Sequence, residues 1–135
     1  MTEIMDRLLS AMNAHDLDAF VSCFALDYDS RQPTHPSRDF GGSDQVRKNW
    51  EGVFAGVPDF TAALVFSAVS DDGVEVGEWH WQGTHTDGSP FAMRGVILAG
   101  IQHNRIAWGR LYMEPVESGG DTIEEMVQET YRPGR

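Results

Sequence analysis

From residue 60 onward the chain adopts a two-residue hydrophobic period and keeps it through four segments, and this period limits the folds open to it. The segments are 60–70, 74–86, 90–101 and 105–114, separated by Asp71-Asp72-Gly73, Asp87-Gly88 and His103-Asn104. Short turn-forming sequences between β-rich runs specify hairpins, so these segments read as a four-stranded antiparallel meander. The first half repeats every three to four residues instead. Met5, Leu8, Leu9 and Met12 define one helix, and Leu17, Phe20, Val21 and Phe24 a second, with Asp16 placed to cap it. Residues 30–42 contain Pro33, Pro36, Gly41 and Gly42 without a period and read as a loop. Ser43 then caps a third helix with Val46, Trp50, Val53, Phe54 and Val57 on its apolar face, and Pro58 ends it. Helices followed by a run of strands give an α+β fold, with three N-terminal helices packed on one face of a curved antiparallel sheet. The 135 residues suit one domain, bounded at 1–117, with 118–135 an acidic tail holding a short helix over Thr122–Glu129.

Charge narrows the partners. Twenty-one acidic against 10 basic residues give a formal charge of -11, which repels phosphate backbones and anionic membranes, so neither nucleic acid nor membrane is expected as a partner. No apolar run approaches the roughly 20 residues of a membrane span. Glu3 and Asp6 stand where a signal peptide would carry basic residues, and a cytoplasmic location is the expectation. Cys23 is the only cysteine, which excludes an intramolecular disulfide and a cysteine-based zinc site. The five histidines lack paired metal-ligand spacing and no glycine-rich phosphate loop occurs, so neither metal nor cofactor is expected.

The order of Asp16-Leu17-Asp18-Ala19-Phe20, Phe24 with Asp27-Tyr28, His35-Pro36, Val57-Pro58-Asp59-Phe60, Gly83-Thr84-His85 and Arg110-Leu111-Tyr112-Met113-Glu114-Pro115 resembles the SnoaL-like branch of the NTF2-like superfamily. The resemblance covers about residues 3–117. It implies a conical α+β barrel with a deep pocket between sheet and helices, and a homodimer formed by sheets packed back to back. It also implies cofactor-independent proton-transfer chemistry on a small hydrophobic oxygenated molecule, as in polyketide cyclases, limonene-epoxide hydrolase and ketosteroid isomerase. The superfamily also includes proteins without assigned chemistry, and a non-catalytic ligand-binding or dimerisation module is the competing expectation.

Regular alternation in the last strand puts Ile106, Trp108, Arg110, Tyr112 and Glu114 on one face and Ala107, Gly109, Leu111 and Met113 on the other. A two-residue turn at His103-Asn104 adds Gly95, Ile97, Ala99 and Ile101 to the first face, leaving room for a cavity. Val96 and Leu98 join Ala107, Leu111 and Met113 in an apolar patch suited to a homodimer, and Arg94 falls on the face opposite Arg110. By resemblance, Glu114 is the candidate proton-transfer group, with Arg110 setting its ionisation and Tyr112 and His35 completing the catalytic set. The plain alternative is that Arg110 and Glu114 form a structural ion pair. Tyr28, Trp50, Phe54, Trp79, Trp81, His85 and Trp108 supply a substrate-binding wall. Trp79 and Trp81 share one face of their strand, with Glu78, His80 and Gln82 on the other, unless a bulge at Gly83 resets the parity.

Overall fold

The computed structural model describes residues 3–134; residues 1, 2 and 135, which the domain bounds include, lie outside the described residues. Helices α1 (Glu3–Ala14) and α2 (Leu17–Val21) lead into strand β1 (Phe24–Arg31). A 3₁₀ turn (Pro36–Arg38), a short β2 (Phe40–Gly41) and helix α3 (Ser43–Gly56) follow. Strands β3 (Thr61–Val69), β4 (Glu75–Thr84), β5 (Pro90–Gln102) and β6 (Arg105–Pro115) form the expected meander, and α4 (Ile123–Tyr131) lies in the tail. The sheet is wider than expected, with six strands in the order β2-β1-β6-β5-β4-β3. All neighbours are antiparallel except β1, which runs parallel to β6 and makes the sheet mixed.

The extra strands come from a segment whose helical spacing misleads. Asp16 does cap α2, accepting from the Ala19 amide, but the helix stops at Val21 and Phe24 begins β1. The amide of Ile106 donates to the Cys23 carbonyl at 2.7 Å, so β1 covers an edge of β6 that would otherwise leave its backbone groups unpaired. At α3 the cap position is Gly42, with φ +95, and Ser43 is the first helical residue.

The hairpin at His103-Asn104 forms with positive φ at both residues (52° and 62°), and Gln102 pairs with Arg105 as expected. Beyond the turn the parity changes. Ile101 pairs with Ile106 but Gly100 pairs with Trp108, so Ala107 is an extra residue in β6 and every later side chain turns over. The indole of Trp108 lies against Gly100, where a Cβ would overlap the ring. The expected faces of β6 are therefore exchanged. Gly109, Leu111 and Met113 face inward opposite Ala99, Ile97 and Gly95, whereas Trp108, Arg110, Tyr112 and Glu114 face outward. Arg94, Val96 and Leu98 share that outer face, paired with Glu114, Tyr112 and Arg110. The apolar patch expected from Ala107, Leu111, Met113, Val96 and Leu98 is thus divided between the two faces. In β4 the pairing with β5 runs without a shift through Gly83, and Trp79 and Trp81 point inward, buried.

The helices cover the inner face. Ile4, Met5, Leu8 and Met12 of α1 pack with Phe20, Cys23, Phe60 and Trp79 in the core. One charged group lies among them: Glu75 of β4, 7% exposed, accepts from the amides of Ile4 at 3.2 Å and Met5 at 3.0 Å. These are first-turn donors with no partner inside the helix, and a carboxylate suits the positive end of the helix. At the other end of α1, Asn13 pairs with the Ala62 backbone in both directions, and His15 Nε2 donates to the Phe60 carbonyl at 2.7 Å. No helix among the described residues is long and apolar enough to cross a membrane. Removing the Glu75 carboxylate strands two buried amides, so Glu75→Ala is expected to lower unfolding free energy by about 2–3 kcal/mol. Urea denaturation checks this against Glu51→Ala on the exposed side of α3, which should stay within about 0.5 kcal/mol of wild type; equal effects would refute the capping role.

Candidate functional site

A cavity of about 190 Å³ lies between the inner face of the sheet and the helices. Leu8 and Met12 of α1, Phe20 of α2, Trp50 and Val53 of α3, Trp81 of β4, Ile97 of β5 and Leu111 of β6 supply its apolar wall. Its polar groups come from two elements. Tyr28, Ser30 and Gln32 point in at two-residue intervals along and just beyond β1, and Asn49 reaches in from α3. Among the described residues, no carboxylate, imidazole, ammonium or guanidinium is part of this wall.

Among the described residues of the wall, Tyr28 alone carries a titratable side chain. Burial pushes its phenol above the ordinary tyrosine range; the Ser30 hydroxyl opposes this and the Asp29 charge adds to it. The phenol therefore remains neutral at physiological pH, able to donate and accept one hydrogen bond. Its position depends on Gly109, because a Cβ there would overlap the Tyr28 hydroxyl. The ring is held edge-on by Phe24 at 4.8 Å and Phe40 at 6.0 Å. Across the cavity Trp50 meets Trp81 edge-on at 5.4 Å. The indole N–H groups of Trp79 and Trp81 are buried without an acceptor among the described residues, so packing alone holds these rings.

Of the expected aromatic wall, Tyr28, Trp50 and Trp81 line the cavity. Trp79 is fully buried in the core, and Phe54 stacks on His15 at 4.7 Å. His85 sits in the β4–β5 turn with Phe91 at 5.5 Å, facing a separate groove. Trp108 is on the outer face in a depression shared with Asp29, Arg31 and Arg110. None of the four residues expected to act together is among the described lining of the cavity, and of the four only His35 and Glu114 meet. Arg110, Tyr112 and Glu114 lie on the outer face because of the Ala107 bulge. Glu114 does not take Arg110 as its partner: the guanidinium lies over the Trp108 ring at 4.9 Å, and Glu114 Oε1 meets His35 Nε2 at 2.5 Å. His35 thus ties its loop to the end of β6, one turn from the cavity, since its amide donates to the Gln32 carbonyl at 2.8 Å.

Ser30, Gln32 and Asn49 were not among the expected site residues. The alternation Tyr28-x-Ser30-x-Gln32 carried the signal, but Phe24 continued a helical series and Pro33 and Pro36 disguised the strand as a loop. Two measurements test the Tyr28 geometry. Gly109→Ala is expected to cost about 1–3 kcal/mol by overpacking, and adding Tyr28→Phe should recover more than half of it in the same denaturation assay; additive losses would show that the hydroxyl is not the obstacle. In an alkaline titration followed by phenolate absorbance, one tyrosine should ionise after the others, and Tyr28→Phe should remove that last step. Because the unfolded phenol ionises first, this contribution to stability is complete below about pH 10 and is lost as the pH rises through the raised folded value.

No curated protein matches the sequence. Solved structures do match in fold. An NTF2-like protein of unknown function from Exiguobacterium sp. 255-15 is 20% identical with a TM-score of 0.69, covering 85% of this chain and 99% of its own. A putative polyketide cyclase from Sinorhizobium meliloti is 19% identical with a TM-score of 0.65, covering 84% and 95%. A protein with a ketosteroid isomerase-like fold from Catenulispora acidiphila, in complex with trimethylamine, is 15% identical with a TM-score of 0.69 and covers 91% of both chains. The model of the SnoaL-like domain matches residues 5–112, most of the chain and the whole span from Leu8 to Leu111 that lines the cavity, and the protein belongs to the SnoaL-like domain family.

Proposed function

We propose that this protein binds a small, uncharged, largely apolar molecule in the cavity, anchored by the hydroxyls of Tyr28 and Ser30 and the amides of Gln32 and Asn49. The observation that carries this reading is the complete lack of charged side chains in the cavity wall. Neutral donors and acceptors can satisfy a carbonyl, ether or hydroxyl oxygen, whereas a buried ligand charge would find no counterion and keep its full desolvation cost. The test uses a matched pair. Cyclohexanone is expected to quench tryptophan fluorescence from Trp50 and Trp81 and to raise the melting temperature by linkage; cyclohexanecarboxylate, of similar size, should do neither. Tyr28→Phe and Ser30→Ala should each weaken ketone binding about 2- to 12-fold, the equivalent of one ordinary hydrogen bond. Equal binding of the carboxylate would refute this reading.

A second reading, general acid–base catalysis of the cyclase, isomerase or epoxide hydrolase type, is favoured by the His35–Glu114 contact at the end of β6, outside the cavity lining. An imidazole held by a carboxylate is a competent proton-transfer unit. On this reading Arg110 and Tyr112 flank the pair from the outer face rather than forming part of a pocket. With a turned-over substrate in hand, Glu114→Gln should lower the rate by about 100- to 10,000-fold while leaving binding unchanged; a variant that retains most of its turnover removes the pair from the mechanism.

The homodimer is proposed through the outer face of the sheet. Phe66 and Tyr112 are exposed there beside half-buried Val76, Val96 and Leu98, and Arg94, Arg110, Glu78 and Glu114 give the face both signs of charge. Sedimentation should give twice the 15.0 kDa chain mass, and Leu98→Glu should return it to one; a wild-type monomer at micromolar concentration would refute the dimer.

A further inference from the structure

Behind the cavity, between α3 and the β4–β5 hairpin, runs an apolar groove of about 350 Å³, floored by Val57, Phe91 and Met93. Cavity and groove are separated by little. Asn49, Val53 and Trp81 line both, so the two spaces lie on opposite sides of the same three side chains. On the helix side the groove is bordered by Gly52 and Gly56, and a Cβ at either would meet nothing within 4 Å. Glycine inside a helix is costly relative to almost any other residue, and no close contact within the chain accounts for these two. Their effect is to keep the groove open. Size points the same way: a cavity of about 150 Å³ takes a benzene ring, so about 190 Å³ takes one ring with little attached.

We infer that cavity and groove form one elongated site, whose ligand places an oxygenated ring in the cavity and passes an apolar tail between Val53 and Trp81 into the groove over Gly52. The inference rests on the cavity reading above and extends it to a class of ligand, a neutral cyclic molecule with an alkyl or aryl extension. Among the described residues the groove is lined by apolar side chains, glycines, Asn49 and His85, a mostly apolar surface that suits such a tail.

The test is a series of 4-alkylcyclohexanones, methyl to butyl, titrated by tryptophan fluorescence. Each added methylene should tighten binding three- to fourfold, so butyl should bind about 30- to 60-fold more tightly than methyl. Gly52→Leu fills the groove from a position that does not itself line the cavity, meeting only the groove side of Asn49, Val53 and Trp81. It should abolish the gain from the tail, keep the affinity for 4-methylcyclohexanone, and raise the melting temperature, leucine being the better helix former. A flat series, or a tail gain that survives in Gly52→Leu, gives the groove to another occupant such as α4 or a second copy and overturns the inference. If cyclohexanone and the methyl ketone fail to bind while the butyl ketone binds in a Gly52-sensitive way, the cavity reading falls and the groove stands as a site of its own. Failure of every ketone removes both.

Discussion

The pairing of β5 with β6 across the Ala107 bulge is the constraint on which the rest of the molecule depends, because β6 passes its parity on to β1. In the parallel ladder Ser30 lies beside Gly109, and Asp29 and Arg31 lie beside Trp108 and Arg110. Once Gly109 faces inward, Tyr28, Ser30 and Gln32 must do so too, and the neighbouring charges must face out. Without the extra residue the same two strands would send Arg110, Glu114, Asp29 and Arg31 into the space that α1, α2 and α3 cover. The neutral interior is therefore a property of register before it is a property of composition.

Much of the architecture was legible in the sequence for reasons that can be stated. The meander followed from three turn sequences, the hairpin at His103-Asn104 formed as read, and Asp16 caps α2. Trp79 and Trp81 face inward because β4 keeps strict alternation. What escaped depended on long-range contacts. A bulge leaves no mark on a hydrophobic pattern when the residues on both faces are mixed, as they are in Ile106–Glu114. β1 is half-hidden because its first residue fits the preceding helix and its stability comes from β6, more than 75 residues away in sequence. Nothing in the sequence sets Glu75 apart from the other acids, because its partners lie some 70 residues earlier.

The site has two chemical zones that do not mix. Inside, hydroxyls and amides are presented by a strand and a helix, and the titratable phenol is kept neutral by burial. Outside the cavity, at the end of β6, His35 and Glu114 form the close acid–base contact, partly open to solvent. A fold also found in a putative polyketide cyclase and in a protein with a ketosteroid isomerase-like fold fixes positions and leaves the chemistry to the side chains placed there.

The clasp between Glu75 and the start of α1 also has a consequence for the order of biosynthesis. Helix α1 leaves the ribosome before the sheet, yet twelve residues are marginal as an isolated helix in water, and the carboxylate that completes its first turn is added about 70 residues later. At roughly 5–20 residues per second, several seconds pass before that acid is even synthesised. Throughout that interval Ile4, Met5, Leu8 and Met12, which end up buried, have no sheet to rest on. The nascent chain thus carries an uncommitted amphipathic segment ahead of its sheet, and a helix made before the strands is fixed in place only after them.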